Sequence, residues 1–104
     1  MKTLLETGLT EEDFRTIRNE IDKIADIEAV VLFGSRAKEI QKRGSDVDLA
    51  LSGSNLSRKD VVHLSYNLNQ ETYLPYHFDI MSLSDADKTI RNHIARVGIP
   101  IYPR

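Results

Sequence analysis

The chain contains no cysteine, which excludes a disulfide framework and any zinc or redox site built from thiolates. It also lacks a charge excess, because 16 acidic residues stand against 14 basic ones, so we expect no direct nucleic-acid binding. No apolar run approaches the roughly 20 residues that span a bilayer. The N-terminus turns polar after Leu5 and lacks the apolar core of a signal peptide. These absences favour a cytoplasmic protein without a membrane partner.

The 104 residues suit one small domain, 1–104, since no repeat, low-complexity tract or linker divides them. Helices are predicted where a capping residue precedes apolar residues spaced three or four apart. Strands are predicted where apolar residues run together or alternate. The predicted helices begin near Thr10, Ser35, Ser57 and Ser84, and the predicted strands span 28–33, 46–51, 76–82 and 99–102. This order predicts an α/β (α+β) domain, a mixed sheet with helices packed against it.

The apolar stripes of these elements predict the core. The predicted inward residues are Phe14, Ile17, Ile21, Ile24, Val47, Leu49, Leu51, Val61, Leu64, Leu68, Phe78, Ile80, Ile90, Ile94 and Val97. Gly98 is predicted to end the last helix as a C′ residue. Pro100 lacks a backbone donor, which places the final strand at a sheet edge.

Gly34 and Ser35 directly follow the apolar run 29–33. Because Gly34 has no Cβ, its backbone can approach a phosphate closely. Ser35 adds a hydroxyl donor at the start of a predicted helix, whose free N–H groups attract anions. Taken alone, the pair is better explained as an ordinary turn in which Ser35 caps the helix.

Asp46 and Asp48 follow Ser35 after ten intervening residues, and this aspartate pair makes the phosphate-binding interpretation of the turn the better one. Residues two apart on a strand point the same way, with Cα atoms roughly 6.5 Å apart. Two such carboxylates can converge on Mg²⁺, which prefers oxygen ligands and substrate phosphates. The alternative is a solvated polar strand face. The flanking Val47 and Leu49 argue against it, because they make this a core strand.

Asp79 is the third candidate carboxylate, between Phe78 and Ile80 on a separate predicted strand. If that strand lies beside strand 46–51, three carboxylates line one face of the sheet. They could hold two metal ions roughly 3.5–4 Å apart, with Asp79 as a ligand or a base. Without the aspartate pair, Asp79 would be interpreted as an exposed strand residue.

Together these residues resemble the minimal nucleotidyltransferases (MNT) of the DNA polymerase β superfamily, small proteins encoded beside HEPN-domain partners. The string VVLFGSRAKEIQKRGSDVDLAL at 30–51 carries most of the resemblance, and Asp79 matches the third carboxylate. The resemblance covers nearly the whole chain. It implies the nucleotidyltransferase fold, with Gly34 and Ser35 holding the triphosphate. It also implies that Asp46 and Asp48 bind Mg²⁺.

The resemblance further implies the reaction. A hydroxyl attacks the α-phosphate of a nucleotide, usually ATP, and pyrophosphate leaves. In relatives that act as antitoxins, AMP is transferred to a tyrosine of the HEPN toxin, an RNase that the modification silences. Larger members of the superfamily add domains that hold the acceptor, so we expect another chain or an oligomer surface to hold it here.

Two other functions stay open at this point. The chain could be a binding module that neutralises a HEPN partner by contact alone, with a vestigial or regulatory nucleotide site. It could also be a small-molecule nucleotidyltransferase that turns over without a partner protein. The three intact carboxylates favour the enzyme, because a pure binding module gains little from clustered acids.

The remaining polar residues carry weaker signals. Arg36, one residue past Ser35, is the best candidate to neutralise the triphosphate, whereas Lys38, Lys42 and Arg43 are interpreted as a solvated basic loop. The histidines are scattered singly and predicted to be ordinary polar residues; they are His63, His77 and His93. Only His77 shares a strand face with Asp79, which makes it a candidate to line the site. The tyrosines predicted to pack or form an interface are Tyr66, Tyr73 and Tyr76.

Overall fold

The computed structural model describes residues 7–37 and 46–103. Its elements, in chain order, are α1 (Glu11–Asp22), β1 (Ala29–Phe33), β2 (Val47–Ser52), α2 (Arg58–Gln70), β3 (Phe78–Ser82), a 3-10 helix (Leu83–Asp85), α3 (Lys88–Val97) and β4 (Ile99–Tyr102). Among the helices described, none combines the length and apolar composition needed to span a bilayer.

Local capping defines the start of each long helix. In α1, the Thr10 hydroxyl accepts from the Asp13 N–H and the Asp13 carboxylate accepts from the Thr10 N–H, each at 3.0 Å. Ser57 and Asp60 form the same reciprocal box before α2, so both predicted caps are confirmed. The predicted cap at Ser84 is wrong, because that residue lies in the 3-10 helix, and α3 starts later.

Asp87, the other residue predicted to cap this helix, does cap α3, with its carboxylate accepting from the Ile90 N–H at 2.9 Å. A single side-chain acceptor at this position satisfies one of the free N–H groups of the first turn. The sequence contains acceptors at both Ser84 and Asp87, and the short 3-10 helix decides between them.

The four strands form one mixed sheet in the order β3-β2-β1-β4. β1 is antiparallel to β2 and β4, and β2 is parallel to β3. The predicted mixed sheet is therefore confirmed, and β4, which contains Pro100, lies at an edge as expected. Residues 35–37 form a turn. The rest of the helix predicted from Ser35, and the loop through Gly44, lie outside the described residues.

One face of the sheet forms the core with α1 and α2. The buried side chains there are Phe14, Ile17 and Ile21 of α1, Leu64 and Leu68 of α2, and Val30, Leu32, Val47, Leu49, Leu51, Phe78 and Ile101 of the strands. Alternation along each strand leaves the intervening side chains on the opposite face. α3 covers part of that second face, because its His93 ring contacts Phe33 edge-on at 6.1 Å between centroids.

Gly98 is required at the end of α3 for a reason other than the predicted one. Its φ of −60° lies outside the left-handed region, so it is not a left-handed C′ residue. A Cβ at this position would lie 2.5 Å from the Ile94 carbonyl oxygen and 2.7 Å from Val31 Cγ1. Close approach to the Ile94 carbonyl of α3 and to Val31 of β1, and not the backbone angle, therefore demands glycine.

Leu64→Ala should lower the free energy of unfolding by about 2–5 kcal/mol, because Leu64 is fully buried between α2 and the sheet. Val62→Ala is the matched control on the same helix, since Val62 is 60% exposed. It should change stability by less than about 0.5 kcal/mol. Urea unfolding measures both, and equal losses would contradict the packing described.

Candidate active site

The turn after β1 lies directly against a carboxylate of β2. Phe33, the last residue of β1, pairs with Asp48 across the antiparallel ladder, and Gly34 follows with a φ of +77°. A Cβ at Gly34 would overlap the Asp48 carboxylate oxygen Oδ2 and would lie 2.9 Å from its Cγ. Only glycine allows the turn and the carboxylate to occupy this space together.

Asp48 and Asp79 are neighbours on the same sheet face. The parallel register of β2 and β3 sets Val47 opposite Phe78 and Asp48 opposite Asp79. Val47 and Phe78 are buried in the core, so the two aspartates point to the other face. Residues opposite each other in adjacent strands share a face, and the strands lie roughly 4.8 Å apart. The condition set in the sequence analysis, that these two strands are neighbours, is thus met.

Asp46 immediately precedes β2 and lies next to His77, which precedes β3. The Val47 N–H donates to the His77 carbonyl at 2.9 Å, which joins the two strands at their entrances. The His77 Nδ1 lies 3.5 Å from Asp46 Oδ1, an ion pair whenever the imidazole is protonated. Both side chains are more than half exposed. We call the sheet face that carries Asp46, Asp48 and Asp79 the acidic face. The structure therefore places His77 beside the acidic face, as its spacing from Asp79 predicts.

The electrostatics of this face centre on Asp48. Its partial burial raises the pKa of its carboxyl above the ordinary value, and the charges of Asp79 and Asp46 raise it further. His77 acts in the opposite direction. The ionised form of Asp48 is therefore disfavoured in the protein alone, and a nearby positive charge would relieve that cost.

The three carboxylates fit a hard cation by chemistry and by their common face. Oxygen donors that repel one another without a counter-charge are the kind of set that binds Mg²⁺. Within residues 7–37 and 46–103, however, no three His, Cys, Asp or Glu side chains are grouped closely enough to form a ready metal site.

Arg36 is directed into the protein. It is only 3% exposed, its Nη1 donates to the Thr7 carbonyl at 3.0 Å, and its guanidinium lies 4.8 Å from the centroid of the Tyr76 ring. The Tyr76 hydroxyl in turn donates to Asp13 at 2.9 Å, and burial, with that contact, raises the pKa of the phenol. These contacts tie the residues after Gly34 to the start of α1. They suit a structural anchor better than the direct phosphate contact expected from the sequence.

The other basic and aromatic candidates add nothing to this site among the described residues. The basic residues Lys38, Lys42 and Arg43 lie outside the described residues. Tyr66 and Tyr73 are exposed, and His63 is exposed on α2. None of these described side chains is brought to the acidic face by the elements that carry it.

His93 is the residue that the sequence interpretation missed. The Gly34 N–H donates to its Nε2 at 3.0 Å, across 59 positions of sequence. The only available signal was helical spacing: His93 falls between Ile90 and Val97, at intervals of three and four, on the stripe that faces the sheet.

A protein-family model described as "Polymerase beta, Nucleotidyltransferase" matches residues 15–104. No curated protein matches the sequence significantly. Several solved structures share the fold. A toxin-antitoxin complex with AMP-PNP has a TM-score of 0.73 at 22% identity, over 88% of this chain and 74% of that one. A mutant of the toxin-antitoxin pair MntA-HpeT has a TM-score of 0.70 at 21% identity, over 92% and 75%.

A third similar structure is a tri-AMPylated HEPN toxin from Shewanella oneidensis in complex with an MNT antitoxin. Its TM-score is 0.60 at 18% identity, over 88% of this chain and 73% of that one. At such low identities these likenesses establish the fold, and the nucleotidyltransferase fold expected from the sequence is confirmed.

Asp48→Asn should raise the unfolding temperature near neutral pH in metal-free buffer. The raised pKa means that ionised Asp48 costs stability above the folded-state pKa, and the cost disappears below the unfolded-state pKa, where both states are protonated. The gain should therefore shrink as the pH falls through the carboxyl range. Asp85→Asn, which changes an exposed acid of the 3-10 helix, is the control. A loss of stability in Asp48→Asn at neutral pH would contradict this account.

Gly34→Ala should destabilise the chain more than Gly8→Ala does. Both glycines have positive φ, so both variants incur the roughly 1–2 kcal/mol cost of a left-handed alanine. At Gly34 overlap with the Asp48 carboxylate is added, whereas Gly8 is exposed. Chemical unfolding of both variants measures the difference, and equal losses would show that the turn and the carboxylate are not in contact.

Proposed function

Because the chain belongs to the polymerase β nucleotidyltransferase family, we propose that it transfers AMP from ATP to a tyrosine of a HEPN toxin and acts as its antitoxin. One observation carries the proposal. The glycine turn contacts the Asp48 carboxylate, and Asp79 lies opposite Asp48 in register. A backbone that can approach phosphate is thus adjacent to oxygen ligands for a cation, as nucleotide chemistry requires.

The binding roles follow from this arrangement. Gly34 lets the turn lie close to Asp48, so that the triphosphate can lie against the turn, and the Ser35 hydroxyl donates to one of its oxygens. Asp46 and Asp48 would hold Mg²⁺, and Asp79 would complete the ligand set or act as a base. When bound, Mg²⁺ neutralises charge that develops on the transferring phosphoryl group, and a second ion would assist the attacking oxygen.

The chain's contribution to the reaction is positioning and charge stabilisation. The tyrosine hydroxyl loses its proton to Asp79 or to solvent as its oxygen bonds to the α-phosphorus of ATP. The bond from that phosphorus to the bridging oxygen of the β-phosphate breaks, and pyrophosphate leaves. His77, beside Asp46, lines the entrance to this face.

The choice of acceptor and partner is supported by the fold relatives. One of them is a HEPN toxin that carries three AMP groups in complex with an MNT antitoxin, and another is a toxin-antitoxin complex with an ATP analogue. The second candidate function is inhibition of the HEPN partner by contact alone. The absence of a ready three-ligand metal group among the described residues is the observation that favours it.

Mass spectrometry of the partner distinguishes the two functions. The HEPN protein is incubated with this chain, ATP and Mg²⁺, and its intact mass and its RNase activity are then measured. Gain of one or more AMP units together with loss of RNase activity supports the transferase. An unmodified but inhibited partner supports inhibition by contact and contradicts the transferase. Turnover without any partner protein would point to a small-molecule acceptor.

Asp46→Asn and Asp48→Asn should each abolish AMP transfer without unfolding the chain, because each removes a charged cation ligand. Ser35→Ala should weaken ATP binding by a smaller factor, roughly tenfold, as expected for one hydrogen bond to a charged group. Asp85→Asn again serves as the control and should retain full transfer. Activity in the Asp46→Asn/Asp48→Asn double variant would refute the assignment of these ligands.

A further inference from the structure

The Gly34 N–H is already engaged before any nucleotide arrives. It donates to His93 Nε2 at 3.0 Å, and the His93 ring packs edge-on against Phe33, the residue before Gly34. For Nε2 to accept this bond, the imidazole must be neutral there, with its proton on Nδ1. α3 therefore holds the residues on either side of the Phe33–Gly34 peptide.

This bond restrains the most adaptable point of the turn. Glycine in the left-handed region lacks the Cβ that limits backbone rotation elsewhere, so its neighbouring peptides need outside contacts to stay fixed. The Gly34 backbone packs against the Asp48 carboxylate, and the Gly34 N–H donates a hydrogen bond to His93. An N–H committed to imidazole is also not available to phosphate, so the phosphate donors must come from Ser35 and the residues after it.

We propose that His93 is a positioning residue for nucleotide binding, which fixes the Gly34 peptide so that the donors beginning at Ser35 face the triphosphate. The inference rests on the proposed function and extends it from the two strands to α3. A turn that is ordered in advance avoids part of the conformational entropy cost of binding. The effect should therefore appear in nucleotide affinity and KM, with kcat little changed.

His93→Gln and His93→Leu form the matched pair of variants. Glutamine places a carbonyl oxygen near the position of Nε2 and can still accept from Gly34, whereas leucine fills similar space without an acceptor. Two measurements are made on the full chain. Amide hydrogen exchange at Gly34 is followed by NMR without nucleotide, and the Kd for AMP-PNP with Mg²⁺ is measured by calorimetry. Thermal unfolding of each variant checks that it is folded.

We expect His93→Leu to lose exchange protection at Gly34 and to bind AMP-PNP about fivefold more weakly, and His93→Gln to retain both. Equal affinities in all three proteins would overturn the role of His93 while leaving the proposed function intact. Equal weakening in the two folded variants would also overturn it, since a retained acceptor would then confer nothing. Failure of the unaltered chain to bind AMP-PNP would refute the proposed function, and the role of His93 in nucleotide binding with it.

Discussion

The contact between the Gly34 backbone and the Asp48 carboxylate is the constraint on which the site depends. It joins the end of β1 to the polar face of β2, at a point where any other residue would collide. Because Asp48 is also opposite Asp79, the same contact sets the distance between the glycine turn and the acidic face. Phosphate and cation chemistry need that distance to be short.

One face of the sheet forms the hydrophobic core, and the other carries the carboxylates of the site. Alternation along β2 sends Val47 and Leu49 into the core and leaves Asp46 and Asp48 on the opposite side. The core face is covered by α1 and α2, which makes the strands rigid supports. Among the described residues, the other face is covered only in part, by α3 against β1, and Asp46 and Asp79 are exposed there. A register error of one residue would exchange the two sets, which is why a buried core specifies the site.

Much of this could be predicted from the sequence, because the signals are local. The capping boxes at Thr10 and Ser57, the alternation around Asp48 and the edge position of Pro100 each depend on a few neighbouring residues. The pairing of β2 with β3 was an assumption at that stage, since register is set by tertiary packing. The aspartate pair and then the family resemblance supported the assignment of Asp79, which would otherwise have been interpreted as an exposed strand residue.

The remaining features could not be predicted, because they depend on contacts distant in sequence. The burial of Arg36 against Thr7 and Tyr76 is one, and the bond from Gly34 to His93 is another. Gly98 was predicted to be a C′ residue that ends the helix, whereas close contact with the Ile94 carbonyl and with Val31 is what excludes a side chain. The sequence shows that a residue is polar or small, but only the folded structure shows which distant residues it contacts.

A crystal structure of the chain with AMP-PNP and magnesium tests the central claim most directly. The account predicts that the triphosphate lies against Gly34 and Ser35 and that Asp46 and Asp48 hold Mg²⁺. A nucleotide bound elsewhere, with the carboxylates free of any cation, would contradict it.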